Sequence, residues 1–166
     1  MARRTADGEI DFEALYRTSR DDVYAYVAGM LRDRAAAEEV TAAAFERALT
    51  RRSSFKPDRG SPRAWLFGIA RNAAYDELRR RSRTEPAADP QERNPPEEDA
   101  TADVAVRRAA LSAALAVLSR EERELVALKF EAGLANAEIS TVLGISESNV
   151  GTRLSRVVAK LRAAME

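Results

Sequence analysis

The chain has 166 residues, 45% of them hydrophobic and 33% charged, with 27 basic against 27 acidic side chains and therefore no formal net charge. That length holds one ordinary domain or two small ones, and that composition supports a packed core. The chain has no Cys and no His. A disulfide framework and a thiolate metal site are thereby excluded, and the side chain that titrates nearest neutrality is missing. No run approaches the about eighteen apolar residues of a membrane span, and the opening "MARRTADGEI" has no apolar core of a signal peptide. The expectation is a cytoplasmic protein without cofactor or metal that is not an enzyme.

In chain order, Phe12, Leu15, Tyr16, Val23, Tyr26, Val27, Met30 and Leu31 fall at three- and four-residue steps and predict a first helix. Asp33 is placed to cap a second, with Ala37, Val40, Ala44 and Ala48 on one face and Phe45 beside it. Ser61-Pro62 pairs a cap with proline at the first helical position and opens a third helix through about Arg81. No segment alternates apolar and polar residues for long, so no sheet is expected.

Charge is unevenly spread. From Arg47 to Arg83 there are eleven Lys/Arg against Asp58, Asp76 and Glu77; from Glu85 to Asp103 there are seven acids against Arg93. The local imbalance is informative where the sum is not. The acidic stretch also holds Pro86, Pro90, Pro95 and Pro96, which favours an extended linker over 85–103. It separates an N-terminal unit, 9–84, from a C-terminal unit, 104–166.

In the second unit, Val104 to Leu118 predicts a helix, and Ser119 and Glu122 have capping-box spacing for the next, which Gly133 should end. Two short helices then flank Gly144-Ile145-Ser146, with Ile139, Val142, Leu143, Ile145, Val150 and Leu154 as apolar anchors. This is the pattern of a helix-turn-helix. Ser146 caps the second helix, and Glu147, Ser148, Asn149, Thr152, Arg153 and Arg156 are its candidate contacts to duplex DNA. Gly151 lies inside that helix at a cost of about 1 kcal/mol relative to Ala.

The basic stretch of the first unit points to single-stranded DNA. Arg51, Arg52, Phe55, Lys56 and Arg59 precede a helix on which Arg71, Tyr75 and Arg79 share a face. Cations follow a backbone while unstacked bases pack on rings. Trp65 reads as core rather than as a stacking platform.

Together these residues resemble the extracytoplasmic-function group (group IV) of bacterial RNA polymerase sigma factors. "FEALYRTSRDDVYAYVAGML" and "AAAEEVTAAAFERAL" are similar to the first helices of the promoter-melting domain, and "WLFGIARNAAYDELRRR" to its WL-x-x-IARN signature. "LSREERELVALKFEAGLANAEISTVLGISESNVGTRLSRVVAKLR" resembles the second DNA-binding domain. The resemblance implies an all-α chain of two small helical domains joined by a flexible acidic linker, the C-terminal one containing a helix-turn-helix. It implies region 2 over 9–84 and region 4 over 104–166. Glu38, Glu39, Val40, Thr41 and Phe45 would dock on the β′ coiled coil of core RNA polymerase. The 55–60 loop with Arg71, Asn72, Arg79 and Arg80 would capture the −10 element, and the helix from Ser146 to Arg156 would read the −35 element from a seat on the β flap. Promoter DNA, core polymerase and an anti-sigma protein are the implied partners. The nineteen residues of the linker span at most ~60–70 Å, compatible with elements two helical turns apart.

The chain departs from the family pattern in three places. Ala42, Ala43 and Ala44 replace an amide and a carboxylate; Ala135 stands at a usual Ser cap, with Asn136 expected to take over; and Gly151 replaces a frequent Lys. The other readings are a stand-alone helix-turn-helix regulator and a nucleic-acid enzyme. The signature helix opposes the former, and the sparse acids of the basic stretch oppose the latter.

Overall fold

The computed structural model describes residues 10–84 and 101–166. The first helix, α1 (Phe12–Leu31), starts where the Asp11 carboxylate accepts the Ala14 amide, and ends at Arg32, whose left-handed backbone returns its N–H to Ala28 O. Asp33 then accepts the Ala36 amide to open α2 (Arg34–Thr50). Two 3₁₀ turns, Arg52–Ser54 and Pro57–Arg59, lead to α3 (Pro62–Thr84), which begins where Ser61 Oγ accepts the Ala64 amide and runs one turn beyond the expected end. Asp33 and Ser61, read as caps from the sequence, cap α2 and α3, because each satisfies backbone donors that the first turn leaves orphaned.

Helices α1, α2 and α3 pack on one another around Leu15, Val23, Tyr26, Leu31, Ala44, Leu66, Phe67 and Ala70, all fully buried or nearly so. Alanines at 37, 44, 48, 70, 73 and 74 let α2 and α3 approach closely. Arg81 braces the corner: it donates to Leu31 O at 2.9 Å and to Asp33 at 3.2 Å, and it also pairs with Glu77. One residue of the "RRR" run is thus internal structure, while Arg79 and Arg80 face solvent.

Most of the expected linker, 85–100, lies outside the described residues. Its last residues do not continue an extended chain: Thr101 caps α4 (Ala102–Ala116), so Ala102 and Asp103 are helical and the helix ends two residues before Leu118. The Ser119–Glu122 capping box opens α5 (Arg120–Val126) with both of its hydrogen bonds made, at 3.2 and 3.0 Å. A π turn over Ala127–Glu131 follows, and Gly133 (φ 69°) ends it. Helices α6 (Asn136–Leu143) and α7 (Glu147–Met165) flank Gly144 at φ 68°, and Ser146 caps α7. Asn136 does not take over the cap of α6. Ala135 keeps that position without a side-chain acceptor, its own N–H donates to Glu138, and the Asn136 amide oxygen instead accepts from Lys129.

The two units are packed together. Helix α6 lies along α3, and α5 with the π turn lies on α1. No helix among the described residues is long and apolar enough to cross a membrane.

Phe67 is fully enclosed, edge-on to Tyr26 at 5.8 Å and beneath the Arg63 guanidinium. Phe67→Ala is expected to lower stability by about 3–5 kcal/mol. The exposed Arg153→Ala should fall within about 0.5 kcal/mol of the parent. Denaturant midpoints at equal slope check both.

Candidate nucleic-acid interface

The 3₁₀ turns hold Arg51, Arg52, Lys56 and Arg59 outward in an arc ahead of α3, and all four are exposed. Gly60 ends the arc at φ 137°, a backbone region that favours glycine, and a Cβ there would lie 2.9 Å from Thr141 Cγ2 of α6. Behind the arc is a cleft of about 530 Å³ lined by Lys56, Arg59, Trp65, Arg71, Asn72 and Val142. Phe55 does not offer a free ring: it is 8% exposed and packs edge-on to Trp65 at 5.8 Å. The aromatic pair is a wall of the cleft. Trp65 is half-buried and presents the accessible part of that wall.

Farther along α3, Arg71 and Tyr75 are one turn apart, and the guanidinium sits 4.8 Å from the phenol ring centroid. Both point to Glu124 of α5. Arg71 Nε donates to Glu124 Oε1 at 2.6 Å, Tyr75 Oη to Oε2 at 2.7 Å, and Tyr26 Oη to Oε1 at 2.9 Å. Glu124 is 2% exposed. A buried carboxylate is costly unless its lone pairs are met, and here one cation and two phenols meet them. Glu124 and Tyr26 were not among the residues expected from sequence to serve a site. The signal was faint: Glu124 lies three and four residues before Ala127 and Leu128, on the buried stripe of its helix.

Further contacts extend this seam. Arg63 donates to Asp22 at 2.8 Å and to the Ala132 carbonyl. Ser61 donates to Glu138 at 3.3 Å. Arg79 and Arg80 are exposed but pair on their own helix, Arg79 with Asp76 and Arg80 with both oxygens of Glu77 at 2.9 and 2.7 Å. Hydrogen bonding from those arginines holds both carboxyls below the ordinary carboxylate range.

On the helix-turn-helix, Ser146, Glu147, Ser148, Thr152, Arg153 and Arg156 are exposed, and Asn149 is half-buried with its amide oxygen accepting from Arg153 Nε at 3.0 Å. Ser148, Asn149, Thr152, Arg153 and Arg156 share the face opposite buried Val150, Leu154 and Val157, while Ser146 and Glu147 are exposed at the start of the helix. Gly151 has open space where a Cβ would stand. Of the expected polymerase contacts, Glu38 and Glu39 are exposed. Val40, Thr41 and Phe45 turn inward, Phe45 lying edge-on to Tyr16 at 4.9 Å and to Phe12 at 6.4 Å. Thr41 Oγ1 is buried and has no hydrogen-bond partner among the described residues; it lies beside a groove of about 310 Å³ that Tyr16, Arg20, Tyr24, Glu38 and Ala42 also line.

Burial and the Glu124 carboxylate push the Tyr26 phenol well above its ordinary range and that of Tyr75 up to about 12. Both phenols hold their proton more tightly folded than unfolded. Their contribution is intact below the ordinary tyrosine value of about 10, and that of Tyr75 is lost as pH rises toward about 12. Tyrosinate absorbance in an alkaline titration should show a late step near pH 12 that Tyr75→Phe removes. Loss of an ordinary step near pH ~10 in that variant would count against this geometry.

Residues 15–84 match the family described as Sigma-70 region 2, and residues 108–161 match Sigma-70, region 4. The chain is 32% identical over 160 residues to the ECF RNA polymerase sigma factor SigL of Mycobacterium tuberculosis, covering 92% of this chain and 88% of that one. It is 34% identical over 169 residues to the ECF RNA polymerase sigma factor BldN of Streptomyces coelicolor, covering 97% and 63%. Among solved structures, the sigma factor RpoE in complex with the anti-sigma factor NepR from Bartonella quintana shares the fold at a TM-score of 0.74 and 21% identity, covering 93% and 96% of the two chains. CnrH in complex with the cytosolic domain of CnrY superposes at 0.64 with 25% identity, covering 92% and 85%. The two matched regions stand in this order on these helices, and the relatives run along nearly the whole chain: the protein belongs to the extracytoplasmic-function family of RNA polymerase sigma factors.

Proposed function

We propose that the chain is a group IV sigma factor, a dissociable cytoplasmic subunit without catalytic activity, that brings core RNA polymerase to promoters through two separate DNA contacts. The observation that carries this reading is the cleft between the basic arc and α3, which combines cationic rims with an aromatic wall. Arg51, Arg52, Lys56 and Arg59 would follow the backbone of the opened −10 strand, and Asn72, Arg71 and Trp65 would receive an unstacked base. Its volume of about 530 Å³ is in the range of small-molecule sites. Extruding a base costs a few kcal/mol, which stacking and hydrogen bonds in the cleft offset. Arg79 and Arg80, already exposed, would exchange their own-helix carboxylates for phosphates.

In this reading the exposed face of α7 from Ser146 to Arg156 reads the −35 element as duplex. Glu38, Glu39 and the groove beside them receive the β′ coiled coil, with a polar partner for the Thr41 hydroxyl, while Val40 and Phe45 support the helix from inside. A second groove of about 520 Å³, lined by Phe130, Gly151, Leu154 and Val158, suits the β flap, and the 61% exposure of Phe130 supports that role. An anti-sigma protein would cover one or both DNA-facing units, as CnrH is seen with the cytosolic domain of CnrY. Regions 2 and 4 are assigned to 9–84 and 104–166, joined by 85–103.

Run-off transcription with core polymerase tests the function: transcripts should require both proteins and should fall at least tenfold when Arg79 and Arg80 are both changed to Ala, roughly 0.7–1.4 kcal/mol per contact. A chain that never supports initiation on any template overturns it. In the second unit, Gly151→Lys should steepen the salt dependence of −35 duplex binding by about one unit of slope, since it adds one phosphate contact where space is open. Equal slopes for parent and variant would refute that contact.

A further inference from the structure

We propose that Glu124 is a latch: its carboxylate occupies the DNA-facing donors Arg71 and Tyr75 and holds the free chain in a closed state that cannot accept the −10 strand. This inference rests on the assignment of those two residues to the −10 site.

The chemistry of the contact is one of substitution. A carboxylate is an acceptor-only anion with two oxygens, and a phosphodiester presents the same features. Arg71 Nε and the Tyr75 hydroxyl point at Glu124 from 2.6 and 2.7 Å, so these two donor atoms are already taken while α5 is in place. All three donors to Glu124, including Tyr26, lie before the linker, and the acceptor lies after it. The contact is therefore one between units.

A second point of closure lies at the mouth of the cleft. Val142 and Thr141 of α6 form part of its lining, and Thr141 comes so near Gly60 that a Cβ would collide. Ser61, which caps α3, also donates to Glu138, which caps α6 from its third residue. The second unit thus touches the strand-gripping surface at two points. The outward face of α7 stays exposed. The closed chain engages Arg71 and Tyr75 of the −10 site, keeps the arc cations exposed, and leaves the −35 reader free.

The test uses the full chain. It has no native Cys, so Arg17→Cys with Ala163→Cys, both at exposed positions, gives a uniquely labelled pair for distance measurement across the units. Binding of a fluorescent single-stranded oligonucleotide is followed by anisotropy. Glu124→Gln keeps the shape and removes the charge; it should populate a longer distance and tighten oligonucleotide binding by roughly tenfold, within the usual range of coupling between sites. Tyr26→Phe leaves every proposed DNA contact intact and removes one latch hydrogen bond, and it should move both readings the same way by less. It also serves if Glu124→Gln fails to fold. Unchanged distance and affinity in the folded variants overturn the latch, as does a longer distance with no gain in binding. Arg71→Ala in the Glu124→Gln background separates the two claims. Loss of the gained affinity supports both, whereas a retained gain leaves the latch standing and removes Arg71 from the −10 site.

Discussion

A single buried carboxylate sets the arrangement of this chain. Glu124 has almost no access to water, and an anion in that position requires donors within hydrogen-bond reach. Its donors are a guanidinium and two phenols from helices α1 and α3. The position of α5, and with it the π turn and α6, follows from satisfying that group. Arg63 on the Ala132 carbonyl and Ser61 on Glu138 extend the same seam, but each is a contact nearer the surface.

Arg71 shows how a counter-charge offsets burial in one side chain. Burial alone works against its charge, yet the hydrogen bond and charge of Glu124 more than offset this and raise its pKa. The guanidinium is fixed, planar and stacked over Tyr75. Its Nε–H is thereby aimed at one carboxylate oxygen while the ring face below holds the plane of the group. The family assignment rests on both units. The way they meet is a property of particular residues in this chain.

Much of the fold is legible in the sequence because it is written in local chemistry. Asp33, Ser61, Ser119 and Ser146 mark the starts of helices since each meets orphan amides within three residues, and Gly133 and Gly144 mark ends since both are left-handed. The outward face of α7 follows from periodicity in the same way. What was not legible is long-range. Glu124 meets partners 49, 53 and 98 residues away, and no spacing rule reaches that far. Val40, Thr41 and Phe45 were expected at a surface, but the side of α2 that α1 covers is decided by packing. The same holds for Phe55, whose ring Trp65 claims. At α6 the expectation that Asn136 would cap failed because Lys129, a turn away across Gly133, engages its amide oxygen.

The arginine run at the end of α3 divides its labour. Arg79 and Arg80 point to solvent, while Arg81 ties the last turns of that helix to the carbonyl of Leu31 and to Asp33, whose other oxygen starts α2. A pull on the two outward side chains would therefore reach the α1–α2 elbow rather than a fraying helix tip.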